Sequence, residues 1–207
     1  MERGLENFVA VDSPTYKLLM HPTQGRYEEQ QVFTLGLKEL DADLGLEYAE
    51  PGGWRFMAWN GSDLAVAADV DVFSPAAAGA PPAGHPDLGS LWHGEPVMAA
   101  WKATERAEKT PPPSVQNQKF ELVQLWIPGL LIEALWFREK KQPPESGWVP
   151  GSGWVIPYRH QIRALNPETS YPEMKFREII KPLASERLKF NDALPPDQRR
   201  KAVHPGH

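Results

Sequence analysis

The sequence predicts an α+β fold: a mostly antiparallel β-sheet, sandwich-like or barrel-like, with two main helices and proline-rich loops. Three observations lead to this prediction. The longest apolar run, KFELVQLWIPGLLIEALWFREK at 119–140, is typical of two buried strands. A strand–turn–strand pattern fills 54–73, and helical patterns lie near 96–109 and 171–190. We expect about six to eight short strands, within the usual size of a sheet.

The central stretch at 119–140 is interrupted once, by Pro128-Gly129. Proline inside a helix costs about 3 kcal/mol and glycine about 1 kcal/mol more, which excludes one continuous helix. We therefore predict two strands. The residues between them carry a type II turn signature, with Gly129 at the position where φ must be positive. Because that turn suits a tight two-residue hairpin less well than the primed turns, we expect a bulge or a looser corner. Both faces of each arm are mostly apolar, so both are expected to be covered.

The segments before the central stretch predict further strands. Short strands are expected in 7–20, and a strand from 27 to 37 is followed by a short turn or helix. The clearest hairpin signal lies at 54–73, where two arms flank an Asn-Gly turn. In the second arm, Asp69 and Asp71 share one face, which predicts a half-buried strand with a wet acidic face.

Proline and glycine mark the remaining elements. The Pro/Ala/Gly composition of 74–90 predicts a linker or a long surface loop, because it buries too little apolar surface to offset its ordering entropy. A helix is expected from Pro96 to about Lys109. A short strand is expected at 154–158, where Pro157 favours an edge position.

The last helical pattern begins with a capping signal. Ser170 and Glu173 have the spacing of a capping box, which predicts a helix starting near Tyr171. Pro182 is expected to kink or restart this helix. We predict one α+β domain over 1–190, with a sub-boundary at the 74–90 loop as the alternative, and a disordered tail over 191–207.

Composition limits the classes of partner. The net charge is −5, with twelve Lys/Arg against twenty-one Asp/Glu in 1–154 and ten against six in 155–207. This distribution predicts poor binding to nucleic acid. No long uninterrupted apolar run and no basic-then-apolar leader is present, so we expect no membrane association and a cytoplasmic location. The 0 cysteines exclude disulfides and thiolate sites.

Catalytic motifs are missing from the sequence. It contains no GxGxxG, GxxxxGK[ST], GxSxG or HExxH pattern, and its six histidines are scattered. We therefore expect no cofactor and no metal site. The alternative is a divalent cation held by Asp69 and Asp71, with Glu139 and Lys141 completing the weak candidate set of a metal-dependent hydrolase or nuclease.

Aromatic residues offer the second kind of candidate site. Trp148, Trp154 and Tyr158 surround a glycine-rich segment, and as exposed rings they would bind a ligand or a protein partner. The alternative is that they fold inward and cap the end of a sheet. Glu133, a lone carboxylate in the central stretch, is either an edge charge paired with a cation such as Arg138 or Arg159, or a site acid with a raised pKa.

These observations favour a non-catalytic binding or assembly module that acts through a protein partner. The enzyme hypothesis rests only on the acidic candidates. The 8 tryptophans and 22 prolines favour the binding hypothesis, because they indicate an aromatic surface or core joined by stiff loops.

Overall fold

The computed structural model describes residues 26–59, 65–71, 87–112, 115, 120–140, 151–167 and 169–193. Within these ranges the chain forms eight strands and three α-helices. The strands are Arg26–Thr34 (β1), Glu50–Trp59 (β2), Ala65–Asp71 (β3), Asp87–His93 (β4), Phe120–Ile127 (β5), Ile132–Glu139 (β6), Trp154–Arg159 (β7) and Tyr171–Pro172 (β8). The helices are Leu37–Asp41 (α1), Glu95–Lys109 (α2) and Glu173–Ala193 (α3), with 3₁₀ turns at Leu46–Tyr48 and Pro128–Leu130.

The strands form a mostly antiparallel sheet in the order β4-β3-β2-β1-β5-β6-β7-β8. The predicted α+β class is confirmed. No helix in the described part of the chain is long and apolar enough to cross a membrane. The strands expected in 7–20, the Asn-Gly turn and residues 194–207 of the predicted tail lie outside the described residues.

Two compact units divide the chain. The first takes its residues from Met1–Val32 and Pro51–Glu105, and the second from Phe33–Glu50 and Arg106–His207.

In the first unit, β2 pairs antiparallel with β3, and β3 with β4. This agrees with the predicted hairpin, and α2 agrees with the predicted helix. The Trp101 ring of α2 lies 5.3 Å from the Trp59 ring of β2. Strand β4 differs from the prediction, because residues 87–90 were expected to be loop. Pairing with β3 supplies hydrogen bonds that the local Pro/Ala/Gly composition does not reveal.

In the second unit, β5 and β6 pair along their whole length. The two-strand prediction for the central stretch is confirmed, but Gly129 does not have the positive φ of the type II signature. The positive φ lies at Leu131, at 53°, after the 3₁₀ turn, and not at Gly129. Gly129 is needed for another reason: the Leu37 side chain occupies the space that a Cβ would take there.

One side of β5 and β6 packs against α1 and α3 and forms the core of the second unit. Its members are apolar and buried: Phe33, Leu35, Leu40, Leu46, Ala49, Val123, Leu125, Ile127, Ile132, Ala134, Trp136, Val155, Leu165, Phe176, Ile180 and Ala184. The burial of these side chains, at about 25 cal/mol per Å² of apolar surface, is the main term that holds α3 on the sheet.

The start of α3 differs from the capping-box prediction. Tyr171–Pro172 forms β8, and the helix begins at Glu173. The Glu173 backbone N–H donates to the Gly153 carbonyl at 2.9 Å. Glu173 is therefore the first helical residue and not the third, as a capping box requires. The helix also continues through Pro182, which is exposed, so water can reach the carbonyl that loses its partner.

Candidate functional site

Asp69 lies at the centre of a polar cluster on the sheet of the first unit. It sits directly opposite Arg55 in the β2–β3 register, and its two oxygens accept from Arg55 Nε at 2.7 Å and Nη2 at 2.9 Å. The Trp92 indole N–H donates to Oδ2 at 2.9 Å, and Ser90 Oγ lies 3.3 Å from the same oxygen. The wet face predicted for Asp69 is therefore covered by Arg55 and Trp92. These contacts hold three strands in register.

The other acidic candidates are not joined to Asp69 by any described contact. Asp71 ends β3, and Lys141 lies outside the described residues. Glu139 accepts from Ser152 Oγ at 2.8 Å. Across the described ranges, no group of three or more His, Asp or Glu side chains is placed to hold a metal ion.

The described aromatic candidates, Trp154 and Tyr158, do not form an exposed cluster on a loop. Tyr158 and Trp154 both belong to β7, and Tyr158 is only 8 % exposed. Of the two alternatives for Tyr158, an exposed ring and an inward-folded ring, the structure shows the inward one, because its phenol is turned into a buried polar network. Trp154 is half-buried, and Trp148 lies outside the described residues.

That network joins three strands of the second unit. The Tyr158 O–H donates to Gln124 Oε1 at 2.6 Å, and Glu133 Oε2 lies 3.2 Å away as a second acceptor. The Glu133 carboxylate in turn forms an ion pair with Arg159. Gln124 is fully buried, and the phenol supplies a hydrogen bond to its amide oxygen, where loss of a buried partner typically costs about 1–3 kcal/mol.

An exposed tryptophan lies beside this network. Trp126 on β5 is directly opposite Glu133 on β6, and Glu133 is directly opposite Arg159 on β7. Directly opposite side chains project from the same face of a sheet, so these three residues form one row, which we call the Trp126 row. Trp126 is 46 % exposed, and the Arg159 side chain is also 46 % exposed.

A second site combines buried polar groups that the sequence analysis did not connect. Glu173 is 3 % exposed and Trp136 is 3 % exposed. Glu173 Oε1, the Trp136 indole nitrogen and Glu47 Oε2 are all buried without a hydrogen-bond partner among the described residues. Burial and the nearby Glu47 carboxylate raise the pKa of Glu173 above its ordinary value of 4.5. The Leu46 N–H, the approach of the Trp136 indole N–H and the charge of Arg177 act in the opposite direction.

Gly153 shows how closely these groups approach one another. A Cβ at Gly153 would lie 2.8 Å from Glu173 Oε2, 2.8 Å from the Trp136 indole nitrogen and 2.7 Å from the Phe137 carbonyl oxygen. Only glycine fits there, because the Phe137 carbonyl belongs to the backbone of β6 and does not move aside.

The sequence did not reveal the Trp126 row or the burial of the Glu173 carboxyl group near Glu47. A tryptophan and a carboxylate in arms flanking one turn were visible at 126 and 133, and the register would have paired them. Glu173 was assigned to a capping box because its spacing from Ser170 fits one. Nothing in the spacing links Glu173 to Glu47, which lies far earlier in the chain.

No model of a protein family, no curated protein and no solved structure matches this chain.

Proposed function

We propose that the chain is a non-catalytic binding module that recognises a protein partner through the Trp126 row. The observation that carries this proposal is an exposed tryptophan on paired strands, in the same row as an exposed arginine two strands away. Tryptophan, tyrosine and arginine dominate the energetically important positions of protein interfaces.

Two contacts made by Glu133 support the Trp126 row. Glu133 accepts from Arg159 on one side and lies within hydrogen-bond distance of the buried Tyr158 phenol on the other. The ion pair therefore restricts the Arg159 guanidinium before a partner arrives. Pre-organised side chains lose less rotamer entropy on binding, by about 0.5–1.5 kcal/mol each.

The acidic candidates support the binding hypothesis more than the hydrolase hypothesis. A divalent cation at Asp69 would have to displace Arg55, whose guanidinium bonds both carboxylate oxygens. A tightly paired arginine beside the carboxylate opposes the approach of a second positive charge. The cytoplasmic location and the poor affinity for nucleic acid remain predictions within this proposal.

Site-specific photo-cross-linking tests the proposal. The tagged chain carries p-benzoylphenylalanine at 126 and, as the matched control, at 190, because Phe190 on α3 is also a highly exposed aromatic residue. Both variants are irradiated in cells of the source organism. We expect one discrete protein adduct from position 126 and none of that mass from position 190.

The candidate partner is then identified by mass spectrometry and confirmed by reciprocal purification with the unmodified chain. The absence of an adduct at 126, or the same set of adducts from both positions, would contradict the proposal.

A further inference from the structure

The sheet of the first unit has one face that packs against α2 and one that is turned away from it. Successive residues of a strand point to opposite faces of a sheet. Gln30 of β1 bonds Thr104 of α2, so the even-numbered residues of β1 face that helix. The Trp59 ring of β2 contacts the Trp101 ring of α2, so the odd-numbered residues of β2 face it as well. The odd-numbered residues of β1 and the even-numbered residues of β2 therefore share the opposite face.

Four residues of that opposite face form what we call the Tyr27 patch: Tyr27, Glu29, Trp54 and Phe56. The Tyr27 and Phe56 rings stack with their centroids 6.1 Å apart and their planes at 25°. Tyr27 is 46 % exposed, Trp54 is 36 % exposed, and Glu29 is exposed as well. Water therefore reaches two aromatic side chains and a carboxylate on two neighbouring strands.

Glu29 lies beside Tyr27 and has no ion-pair partner in the described part of the chain. The two residues are separated by one position on β1, so their side chains point the same way. Burial of the phenol and the charge of Glu29 raise the pKa of Tyr27 above its ordinary value of 10.0. The next carboxylate, Glu28 on the α2 side, is by contrast paired with Arg26 at 3.1 Å. The Tyr27 patch therefore keeps an uncompensated negative charge beside aromatic rings.

The α2 side of the same sheet shows which group completes such a combination. There the Arg55 guanidinium bonds the Asp69 carboxylate at 2.7 and 2.9 Å and lies 5.9 Å from the centre of the Trp92 ring. Arg26 likewise joins a carboxylate to the Trp101 ring, at 5.4 Å. A guanidinium suits both partners at once, because its plane stacks on an aromatic face while its N–H groups donate to a carboxylate. No arginine among the described residues fills this position on the Tyr27 patch.

The charge of the first unit favours a cationic partner. Its residues, Met1–Val32 and Pro51–Glu105, include five Lys/Arg and eleven Asp/Glu, a formal charge of −6, whereas the whole chain carries −5. A negative surface attracts basic segments and repels the phosphates of nucleic acid. The arginine that the patch lacks is therefore expected from a basic protein segment.

We propose that the Tyr27 patch binds an arginine side chain of a basic protein partner. The guanidinium stacks on the exposed Tyr27 ring and donates to the Glu29 carboxylate, in the way that Arg55 engages its two partners on the α2 side. The Tyr27 patch belongs to the first unit and Trp126 to the second. The inference therefore stands whether or not the Trp126 row binds a partner.

A titration of the full chain with a short basic peptide tests this proposal. The probe is the acetylated, amidated peptide GRGRGR. Its control carries citrulline in place of each arginine, which keeps the planar end of the side chain and removes its charge. The chain is labelled with ring-¹³C tyrosine, and the Tyr27 peak is assigned by its absence from Tyr27→Phe. We expect the arginine peptide alone to shift that peak, while the peak of Tyr48, an exposed tyrosine of the second unit, stays in place.

Two adjacent carboxylates supply matched variants. Glu29→Gln should weaken the affinity for the arginine peptide by about three- to fivefold, as expected for the loss of an exposed ion pair. Glu28→Gln removes the same charge from the opposite face and should change the affinity by less than about twofold. Both side chains are at the surface, so neither variant depends on refolding of the core. Trp126→Ala should leave the peptide affinity unchanged, which separates this test from that of the Trp126 row.

The proposal is overturned if the Tyr27 peak does not move at about 10 mM peptide, tenfold above a Kd of about 1 mM. Equal shifts with the citrulline peptide would overturn it too, because the charge would then be irrelevant. So would equal affinities of Glu29→Gln and Glu28→Gln, since binding would then follow net charge and not the patch. If Arg3→Gln moves the Tyr27 peak without peptide as Glu29→Gln does, the chain itself supplies the arginine, and the partner is excluded.

Discussion

The Asp69→Asn substitution tests whether Asp69 holds the sheet together or serves as a metal ligand. The change keeps the shape of the side chain but removes its charge, and it turns an N–H₂ group toward donors from Arg55 and Trp92. The partly buried guanidinium then loses a charge-assisted, two-point partner. The Arg55 and Asp69 side chains are 12 % and 20 % exposed, so solvent screens this pair only in part.

The expected cost follows from that burial. Removing one partner of a fully buried ion pair costs about 3–5 kcal/mol, and exposed pairs contribute about 0–1 kcal/mol. The intermediate exposure of this pair places the cost at about 2–4 kcal/mol. For a chain of this size, that corresponds to a fall in Tm of about 4–16 °C.

Differential scanning calorimetry without added metal is the assay. The matched control is Glu28→Gln, which breaks an exposed Arg26–Glu28 pair in the same unit, at 3.1 Å, and should cost less than about 1 kcal/mol. Addition of Mg²⁺ or Ca²⁺ at 100 times the Kd of a true site would stabilise the wild type by about 2.7 kcal/mol. We expect no such rise, either in the wild type or in Asp71→Asn. A metal-induced rise in Tm that Asp69→Asn abolishes would refute the structural role.

Three further changes probe the second unit. Tyr158→Phe should lower the free energy of unfolding by about 1–3 kcal/mol in urea titrations, because the buried Gln124 amide loses its 2.6 Å partner; an unchanged midpoint would show that Gln124 is satisfied elsewhere. Gly153→Ala should cost about 1–3 kcal/mol through the 2.7 Å approach to the Phe137 carbonyl. Gly94→Ala meets no atom within 4 Å but has a φ of 76°, so it measures the cost of backbone strain without crowding. Between pH 4.5 and the raised pKa of Glu173, the wild type should lose stability relative to Glu173→Gln by at most about 1.4 kcal/mol per pH unit. If the stabilities of the two proteins depend on pH in the same way, the pKa of Glu173 is not raised in the folded state.

The strongest sequence signals predicted their elements because they depend on local chemistry. Pro128-Gly129 divides the central stretch, and apolar residues fill both arms, so the pattern predicts two buried strands. The turn was less predictable. The positive φ lies at Leu131, and the close approach of the Leu37 side chain to Gly129 is a tertiary contact that local spacing does not reveal. Strand β4 was missed for the same kind of reason, since its pairing with β3 is not encoded in its own composition.

The environment of Asp69 depends on strand register, which the sequence did not define. A hairpin loop of four residues at 60–63 would place Asp69 opposite Trp54. The observed pairing of Trp59 with Ala65 encloses five residues and places Asp69 opposite Arg55. A slip of one residue reverses the face on which each side chain lies, so the salt bridge could not be deduced from spacing alone.

The burial of Glu173 near Glu47 could not be predicted from local sequence patterns. Glu173 receives a hydrogen bond from the Leu46 N–H and feels the charge of Glu47, and both residues lie far from it in sequence. The pattern around Glu173 indicated a surface cap, and only its 3 % exposure shows that the side chain points inward.

The most direct test of the binding hypothesis is the equilibrium affinity of the cross-linked partner for the wild type, Trp126→Ala and Tyr48→Ala. Tyr48 is an exposed aromatic residue of the same unit, outside the Trp126 row. We predict that Trp126→Ala weakens binding by at least about 30-fold, which corresponds to about 2 kcal/mol, while Tyr48→Ala changes it by less than about threefold. Equal affinities for the wild type and Trp126→Ala would contradict the account.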